Sequence, residues 1–220
     1  AMEIWNYLFE HDNGVTNFHF EIAADILNEE ELELLAKFRS GQVQLEIGVQ
    51  TTNTTTLAEI KRTTDMDKLK DNVARLRSFQ NIHLHLDLIV GLPFEDKTSF
   101  IKSFNDVYSM KPDDLQLGFL KVLSGSHMGE MVKDYGIVYE SNPPYEVLST
   151  NWISYEDVIG LKRVEEMLEL YHNSGQFVHT IAFLEKQFES PYALYEAMAQ
   201  FYERNGFFVQ APSRSYRYEV

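Results

Sequence analysis

The chain of 220 residues contains no cysteine. Without thiols it forms no disulfide, offers no thiolate nucleophile and cannot hold a metal ion or an iron–sulfur cluster through sulfur. The absence therefore excludes disulfide scaffolds, cysteine catalysis and thiolate metal sites within this chain.

Basic residues are scarce, since 19 lysines and arginines stand against 34 aspartates and glutamates. The formal net charge is -15 at pH 7. A surface this acidic repels phosphate backbones, so we expect no nucleic-acid partner.

Long apolar runs are also missing. No stretch approaches the roughly 20 apolar residues that span a bilayer. The first residues carry no cationic segment of the kind that opens a signal peptide. We therefore expect a soluble, cytoplasmic protein that does not bind membranes.

Apolar residues nevertheless make up 44% of the chain, which suffices for a sizeable core. Helical and strand patterns alternate through the first half of the sequence. The four predicted strands are residues 18–23, 44–52, 82–90 and 114–123. Because parallel neighbours need a crossover connection, this alternation predicts an α/β fold with a parallel sheet. A complete eightfold barrel needs about 250 residues, so four strand–helix steps predict half a barrel.

The pattern changes after the fourth predicted strand. An irregular stretch comes first and three helical patterns follow, while the tail, 210–220, is expected to lack regular structure. We therefore predict three regions: a half-barrel at 1–123, an irregular connection at 124–151 and a helical carboxyl-terminal region at 152–220.

One face of each predicted strand is polar, although helices must cover the other face. On the third strand His83, His85 and Asp87 alternate with leucines. Polar residues at equivalent positions on the other strands are His19, Glu21, Gln44, Glu46, Gln50 and Gln116. Since burying unpaired polar groups costs a few kcal/mol each, we expect this face to line a hydrated or ligand-filled interior. An open sheet with one face in solvent is the alternative.

Gly48 and Gly91 lie near the carboxyl ends of their predicted strands. Glycine inside a strand often marks the close approach of a ligand, and ligands of α/β proteins bind at these ends. The two glycines therefore indicate a binding site, unless they only relieve crowding in a tapering interior.

Three segments resemble, in order, the fourth, fifth and sixth strands of radical S-adenosylmethionine enzymes. They are FHFEI at 18–22, LEIGVQTTN at 45–53 and DLIVGLPFE at 87–95. The later stretch 143–148 is similar to a region of the cobalamin-binding-domain-containing branch. Members of that branch are often described as anaerobic magnesium-protoporphyrin monomethyl ester cyclase-like.

The resemblance implies an oxidoreductase or transferase in which three cysteines of a CxxxCxxC loop hold a 4Fe-4S cluster. The open iron of the cluster binds S-adenosylmethionine, and reductive cleavage gives a 5′-deoxyadenosyl radical that takes hydrogen from the substrate. The branch implies a tetrapyrrole-like substrate or one that is methylated or cyclised. Cobalamin would bind through an upstream domain.

The resemblance also implies site residues. The cofactor-binding set is Glu21, Gln50, Thr52, Arg62, Ile89, Gly91 and Leu92. Glu21 corresponds to a contact of the ribose or amino group, and Arg62 to a residue that meets the methionine carboxylate. The substrate cavity is expected to be lined by His19, His83, His85, Asp87 and Gln116. In plainer interpretations, Arg62 is an ordinary cation at a helix end and Gln50 begins a turn.

Because the three cysteines are absent, we expect the chain to be a carboxyl-terminal fragment of such an enzyme, inactive alone and without catalytic residues or metal ligands. Its partner would be the upstream half of the same barrel. The missing strands would leave an open sheet edge, and unpaired edges add to other chains. We therefore expect partial self-association.

Two other functions stay open at this point. His83 and His85 on a barrel strand, with Asp87 beyond them, are typical of metal-dependent hydrolases, in which imidazole binds zinc and activates water. His19 and Glu21 would add ligands. The second alternative is a non-catalytic interaction module, which predicts an exposed apolar patch.

Overall fold

A computed structural model describes residues 1–209 and 213–219. The chain divides into two compact units, Ala1–Gly118 and Phe119–Val220, here called the amino-terminal and carboxyl-terminal units. Within the described residues, no helix combines the length and the apolar content that crossing a membrane requires.

The amino-terminal unit alternates strands and helices as the sequence predicts. Its strands are β1 (Phe18–Ile22), β2 (Val43–Gln50), β3 (His83–Val90) and β4 (Asp114–Phe119). Its helices are α1 (Met2–Glu10), α2 (Glu29–Leu35), α3 (Thr54–Glu59), α4 (Met66–Phe79) and α5 (Lys97–Tyr108). The sheet order is β1-β2-β3-β4, and β2 pairs in parallel with both β1 and β3. The predicted α/β fold with a parallel sheet is confirmed.

Polar side chains fix the helix starts. The Asn28 side chain accepts a hydrogen bond from the backbone N–H of Glu31, and the Glu31 carboxylate accepts one from the backbone N–H of Asn28, which completes a capping box. Asp65 and Asp96 cap α4 and α5 by accepting from the N–H three residues onward. Each such cap contributes about 1 kcal/mol.

Burial alternates along the two central strands. On β3 Leu84, Leu86 and Leu88 are fully buried, whereas the intervening His85 and Asp87 are partly exposed. The same alternation runs through β2. The polar face predicted from the sequence is therefore confirmed, and in this chain solvent reaches it.

The fourth strand ends earlier than predicted, at Phe119 and not at 123. Beyond it, the Leu120 carbonyl accepts from the Val147 N–H at 2.8 Å, and the Val122 N–H donates to the Tyr145 carbonyl at 2.9 Å. Leu120 and Val122 are buried, as the alternating pattern predicts. Their backbones, however, hydrogen-bond to residues of the carboxyl-terminal unit.

The carboxyl-terminal unit is largely helical. Its helices are α6 (His127–Glu130), α7 (Tyr155–Leu168), α8 (Val178–Leu184), α9 (Pro191–Asn205) and α10 (Arg214–Glu219). A π-helical turn, Glu169–Asn173, extends α7, and two short strands, β5 (Val138–Tyr139) and β6 (Val147–Ser149), pair antiparallel.

Two expectations for this unit need correction. The stretch 124–151, predicted to be irregular, contains α6 and the β5–β6 pair, whose members are too short to give a sequence period. The tail, predicted to lack regular structure, forms α10, and residues 210–212 and 220 lie outside the described part.

The ends of α9 follow from local chemistry. Ser190 accepts a hydrogen bond from the Ala193 N–H, and Pro191 occupies the first helical position, where no N–H is needed. Gly206 then adopts φ +68°, the left-handed conformation that ends a helix at low cost in glycine. α9 packs against α7, and Leu161 on α7 and Tyr195 on α9 are both fully buried.

Glu165 on α7 is expected to make the stability of this unit depend on pH. Burial, with the charges of Glu169 and Glu166, raises the pKa of Glu165 from 4.5 to about 7. Because the fold penalises the ionised form, the free energy of unfolding should fall as pH rises from 4.5 to about 7. Glu165→Gln should remove roughly 1 to 2 kcal/mol of this decrease, after allowance for solvent screening.

Urea unfolding of both proteins at about pH 4.5 and about pH 7.5 measures this effect. The exposed Glu156 lies on the same helix, so Glu156→Gln is the matched control and should keep the wild-type pH dependence. An unchanged pH dependence in Glu165→Gln would contradict the assignment.

Candidate functional site

A polar cavity of about 340 Å³ lies at the carboxyl ends of β1 and β2. The lining residues are Glu21, Ile22, Ala23, Glu46, Gly48, Gln50, Arg62 and Asp87. They come from three neighbouring strands and from the segment after α3. The location agrees with the rule that α/β sheets bind ligands at the carboxyl ends of their strands.

The end of β2 has an unusual backbone. The register with β3 shifts between Gly48 and Gln50, and Gln50 takes φ +70°. A side chain in this left-handed region costs of order 1 kcal/mol and often marks a functional site. The bulge re-aims Gln50 toward the cavity.

Gly48 makes room for the neighbouring polar groups. A Cβ atom at Gly48 would lie 2.7 Å from Nε2 of Gln50 and 3.7 Å from Nη1 of Arg62. The Gln50 amide therefore folds over the glycine, beside the Arg62 guanidinium. The sequence left two interpretations open for this glycine, and the contact corresponds to the one in which the glycine relieves crowding, here by the Gln50 and Arg62 side chains.

Strand register brings the acidic residues of the cavity together. Glu21 lies opposite Glu46, Glu46 lies opposite His85, and Gly48 lies opposite Asp87. Three carboxylates thus border a cavity whose cationic residue is Arg62. Such a set offers hydrogen-bond acceptors for hydroxyl or ammonium groups and one guanidinium for a carboxylate.

The histidines of the polar face pair with carboxylates and do not line the cavity. His19 Nε2 lies 2.8 Å from Glu46 Oε2, and His83 Nε2 lies 2.8 Å from Asp114 Oδ2. Gln116, the other residue predicted for the substrate cavity, is exposed on β4.

His85 and Asp87 are the more buried pair. Nε2 of His85 lies 2.9 Å from Oδ1 of Asp87, yet neither atom has a hydrogen-bond partner of good geometry. The pKa of His85 is raised, mainly by the neighbouring Asp87 carboxylate. Burial of the imidazole lowers this pKa, whereas the more distant carboxylates of Glu46 and Asp114 raise it further. The distance supports an ion pair, so the pair favours the charged imidazole without a well-directed hydrogen bond.

The residue after Gln50, Thr51, hydrogen-bonds to the buried carboxyl group of Glu95. Glu95 is 1% exposed, and its Oε1 accepts hydrogen bonds from Thr51 Oγ1 at 2.5 Å and Ser103 Oγ at 3.1 Å. Its Oε2 is buried without a hydrogen-bond partner. Burial raises the pKa of Glu95, against the opposing effect of the hydroxyl donors. Through these hydrogen bonds the Glu95 carboxyl group links Thr51, the residue after Gln50, to Ser103 on α5.

Thr52 belongs to this buried network and does not line the cavity. Its hydroxyl donates to Asp106 Oδ2 at 3.0 Å, and its backbone N–H donates to Ser103 Oγ at 3.0 Å. The predicted cofactor-binding residues Ile89, Gly91 and Leu92 also lie outside the lining. Leu92 is buried and Gly91 adopts φ +92°.

The structure thus brings together Glu21, Gln50, Arg62 and Asp87 among the predicted site residues. Sequence reasoning gave no role to Glu46 or Glu95. Alternation along β2 already placed Glu46 on the polar face, so its signal was present. Glu95 ends the segment 87–95 that resembles the sixth strand, but its burial could not be predicted, because it depends on the packing of α5.

The polar face does not assemble a metal centre. Across residues 1–209 and 213–219, no group of three or more histidine, aspartate or glutamate side chains is placed to hold a metal ion. His83 and His85 each face an aspartate. The geometry therefore does not favour the hydrolase alternative.

One family model matches part of the chain. Residues 133–220 match the model described as a protein of unknown function (DUF4080). That region is less than half of the 220 residues. Comparison with curated protein sequences gave no match.

The solved structures that are similar to the chain include three of radical S-adenosylmethionine enzymes. Coproporphyrinogen III oxidase (HemN) from Escherichia coli, a radical SAM enzyme, has 22% identity and a TM-score of 0.46, over 53% of this chain and 27% of the oxidase. The radical S-adenosylmethionine methyltransferase TsrM from Kitasatospora setae, with tryptophan and the SAM analog aza-SAM bound, has 13% identity and a TM-score of 0.52, over 66% and 30%. TsrM with cobalamin and a 4Fe-4S cluster bound has 14% identity and a TM-score of 0.49, over 64% and 26%.

The chain spans less than a third of the length of each of these structures. At 13% identity, the likeness to TsrM with aza-SAM shows a shared fold. This likeness covers 66% of the chain, so that share of the chain has a fold in common with part of TsrM.

Proposed function

We propose that the chain is part of a radical S-adenosylmethionine enzyme and that the polar cavity of its amino-terminal unit binds part of S-adenosylmethionine. One observation carries the proposal: Glu21, Gln50 and Arg62, which come from separate segments, line a single cavity. The fold shared with TsrM supports it. The chemistry of the cavity, more than the fold, specifies the ligand.

The lining residues suit the groups of this cofactor. The Arg62 guanidinium can bind a carboxylate through two parallel hydrogen bonds. The Glu21 carboxylate can accept hydrogen bonds from ribose hydroxyls or an ammonium group, and the Gln50 amide can both donate and accept. At about 30 Å³ for each non-hydrogen atom, a volume of 340 Å³ accommodates only part of the cofactor.

In the longer enzyme, S-adenosylmethionine bound beside a reduced 4Fe-4S cluster would supply the radical chemistry for hydrogen abstraction from a substrate. The residues of this chain do not fit the cluster, because the sequence has no cysteine. In the proposed enzyme this chain orients the cofactor, and the cluster ligands belong to a preceding part of a longer protein. The substrate would lie over the polar face, near His85 and Asp87.

The position of β1 in the sheet supports the proposal that a further part of the barrel precedes this chain in a longer protein. This strand lies at one edge of the four-stranded sheet, so one side of its backbone has no partner strand in this sheet. We propose that a strand from the upstream half of the barrel pairs there, since an open edge readily accepts another strand.

Replacing Arg62 with glutamine is expected to weaken the binding of S-adenosylhomocysteine, a stable probe, by about 10- to 100-fold. The reason is that the carboxylate of the probe loses its cationic partner. Titration calorimetry of the 220-residue chain measures the effect.

Arg75→Gln is the matched control. Arg75 is partly exposed on α4 and pairs with Glu29, with Nη2 2.6 Å from Oε1, and it does not line the cavity. It should bind the probe as the wild type does. If the wild-type chain does not bind the probe at about 10 mM, or if Arg62→Gln binds it equally well, the cavity assignment is wrong.

The radical chemistry is tested on the longer enzyme. With iron and sulfide supplied under anaerobic conditions, it should contain about four irons and form 5′-deoxyadenosine on reduction, whereas the present chain should do neither. A longer enzyme with neither property would refute the proposed activity. The narrower proposal of the cobalamin-binding branch rests on segments 87–95 and 143–148, and cobalamin binding by the longer enzyme would test it.

A further inference from the structure

A second cavity, of about 320 Å³, lies entirely within the carboxyl-terminal unit. Its lining residues are Tyr171, Leu184, Phe188, Leu194, Ala197, Met198, Phe201, Tyr202 and Arg217. They come from the end of α7, from α8 and α9 and the segment between them, and from α10. All of them fall within the region that matches the family of unknown function, 133–220.

The wall of this cavity is apolar and aromatic apart from three polar groups. Leu184, Leu194, Ala197 and Met198 give aliphatic surface, and the exposed fractions of Phe188 and Phe201 are 37% and 42%. Large exposed aromatic side chains at a cavity rim are costly in water and are covered when an apolar ligand binds.

Arg217 is the cationic residue of the cavity wall, and the groups that its guanidinium contacts are uncharged. Nη1 donates to the Leu170 carbonyl, and Nη2 donates to Gln176 Oε1 at 2.9 Å. Its guanidinium also lies over the Phe177 ring, 5.2 Å from the ring centre. These contacts fix the guanidinium in place without neutralising it.

None of the arginine ion pairs described in the structure includes Arg217, although the net charge of the chain is -15. Nε is buried without a hydrogen-bond partner. A buried guanidinium donor that lacks an acceptor costs free energy, and an anionic ligand would remove this cost.

The two tyrosines add one more donor. The hydroxyls of Tyr171 and Tyr202 lie 2.5 Å apart and hydrogen-bond to each other. Two hydroxyls carry two protons, and their mutual bond uses one. Burial raises the pKa of Tyr202, so its hydroxyl keeps its proton at neutral pH. The second proton is left to donate to an acceptor.

We propose that this cavity binds a small amphipathic carboxylate, with its apolar body against Leu194 and Met198 and its carboxylate on Arg217 and the Tyr171–Tyr202 pair. The size follows from the volume. At about 30 Å³ for each non-hydrogen atom, 320 Å³ accommodates about ten such atoms, which is the size of octanoate. The site is separate from the cavity of the amino-terminal unit and does not depend on the function proposed for that cavity.

Titration of the 220-residue chain with octanoate, and separately with octan-1-ol, tests the proposal. Octanoate should bind with a Kd near or below about 1 mM. Octan-1-ol has the same chain length without the charge and should bind at least about 10-fold more weakly. This comparison uses the wild-type protein and so does not depend on whether any variant folds.

Variants locate the site. Arg217→Gln should weaken octanoate binding by about 10- to 100-fold and change octan-1-ol binding less than about 2-fold. Met198→Trp should abolish the binding of both by filling the cavity. Arg204→Gln is the matched control, because Arg204 is exposed on α9 and outside the lining, and it should bind octanoate as the wild type does.

Three results would overturn the proposal: no octanoate binding at about 10 mM, equal affinity for octanoate and octan-1-ol, or full octanoate affinity in both Arg217→Gln and Met198→Trp. The first would mean that the cavity takes no such ligand. The second would mean that Arg217 does not select an anion. The third would place octanoate elsewhere on the surface.

Discussion

Glu95→Ala is expected to lower the free energy of unfolding by about 3 kcal/mol. The substitution removes the acceptor of the Thr51 and Ser103 hydroxyls, which are 0% and 1% exposed. It also leaves a cavity between the end of β2 and α5. Hydroxyls buried without a partner cost about 1 to 3 kcal/mol each, and the mutual contact of Thr51 and Ser103, at 3.2 Å, offsets part of that.

Urea unfolding at neutral pH measures this loss. Glu33→Ala, at an exposed position on α2, is the control and should change the free energy of unfolding by less than about 0.5 kcal/mol. A change in Glu95→Ala no larger than that of the control would show that the buried network does not stabilise the fold.

Glu95→Gln should separate the charge of the group from its hydrogen bonds. Burial raises the pKa of Glu95 above its ordinary value of 4.5. The wild type is therefore most stable, relative to Glu95→Gln, below that ordinary pKa, and it loses this advantage as pH rises through the higher pKa of the folded state. Parallel stability curves for the two proteins from acid to neutral pH would contradict the raised pKa.

Gly48→Val is expected to reduce S-adenosylhomocysteine binding by at least about 100-fold. The new Cβ would lie 2.7 Å from Nε2 of Gln50, so the Gln50 amide must leave its place beside Arg62. The valine then occupies the cavity itself. Stability should change by less than about 1 kcal/mol, because the displaced atom ends a flexible side chain and valine favours strands.

Gly118→Ala is the matched control for a glycine on the polar face. Its Cβ would lie 3.4 Å from the Leu88 carbonyl oxygen, and Gly118 does not line the cavity. Calorimetry should find wild-type affinity in this control. If Gly48→Val retained affinity for the probe, the probe would bind outside this cavity.

Local patterns were enough to predict the amino-terminal unit. The burial of β3 follows the alternation of His83, His85 and Asp87 with leucines, because successive side chains of a strand point to opposite faces. Asn28 and Asp96 cap helices through local contacts, because capping needs only the three following residues.

Pairing between distant segments could not be predicted in the same way. Leu120 and Val122 continue the strand pattern of β4, yet their backbones hydrogen-bond to Val147 and Tyr145. α10 has no clear sequence signal. Its position depends on contacts of Arg217 with Leu170 and Gln176, more than 40 residues away in sequence. Sequence periodicity reports which face a residue lies on and not which segment covers that face.

The sequence by itself determined that this chain holds no thiolate-bound cluster, that its sheet is parallel and that one face of the sheet is polar. Those properties follow from residue types and from local periods. Only the tertiary structure decided which polar residues meet. The bulge at Gln50, the register between Gly48 and Asp87 and the burial of Glu95 bring some predicted residues into one cavity and leave Thr52 outside it. The physical reason is that register, burial and the pKa values that follow from them depend on packing between segments that are far apart in the chain.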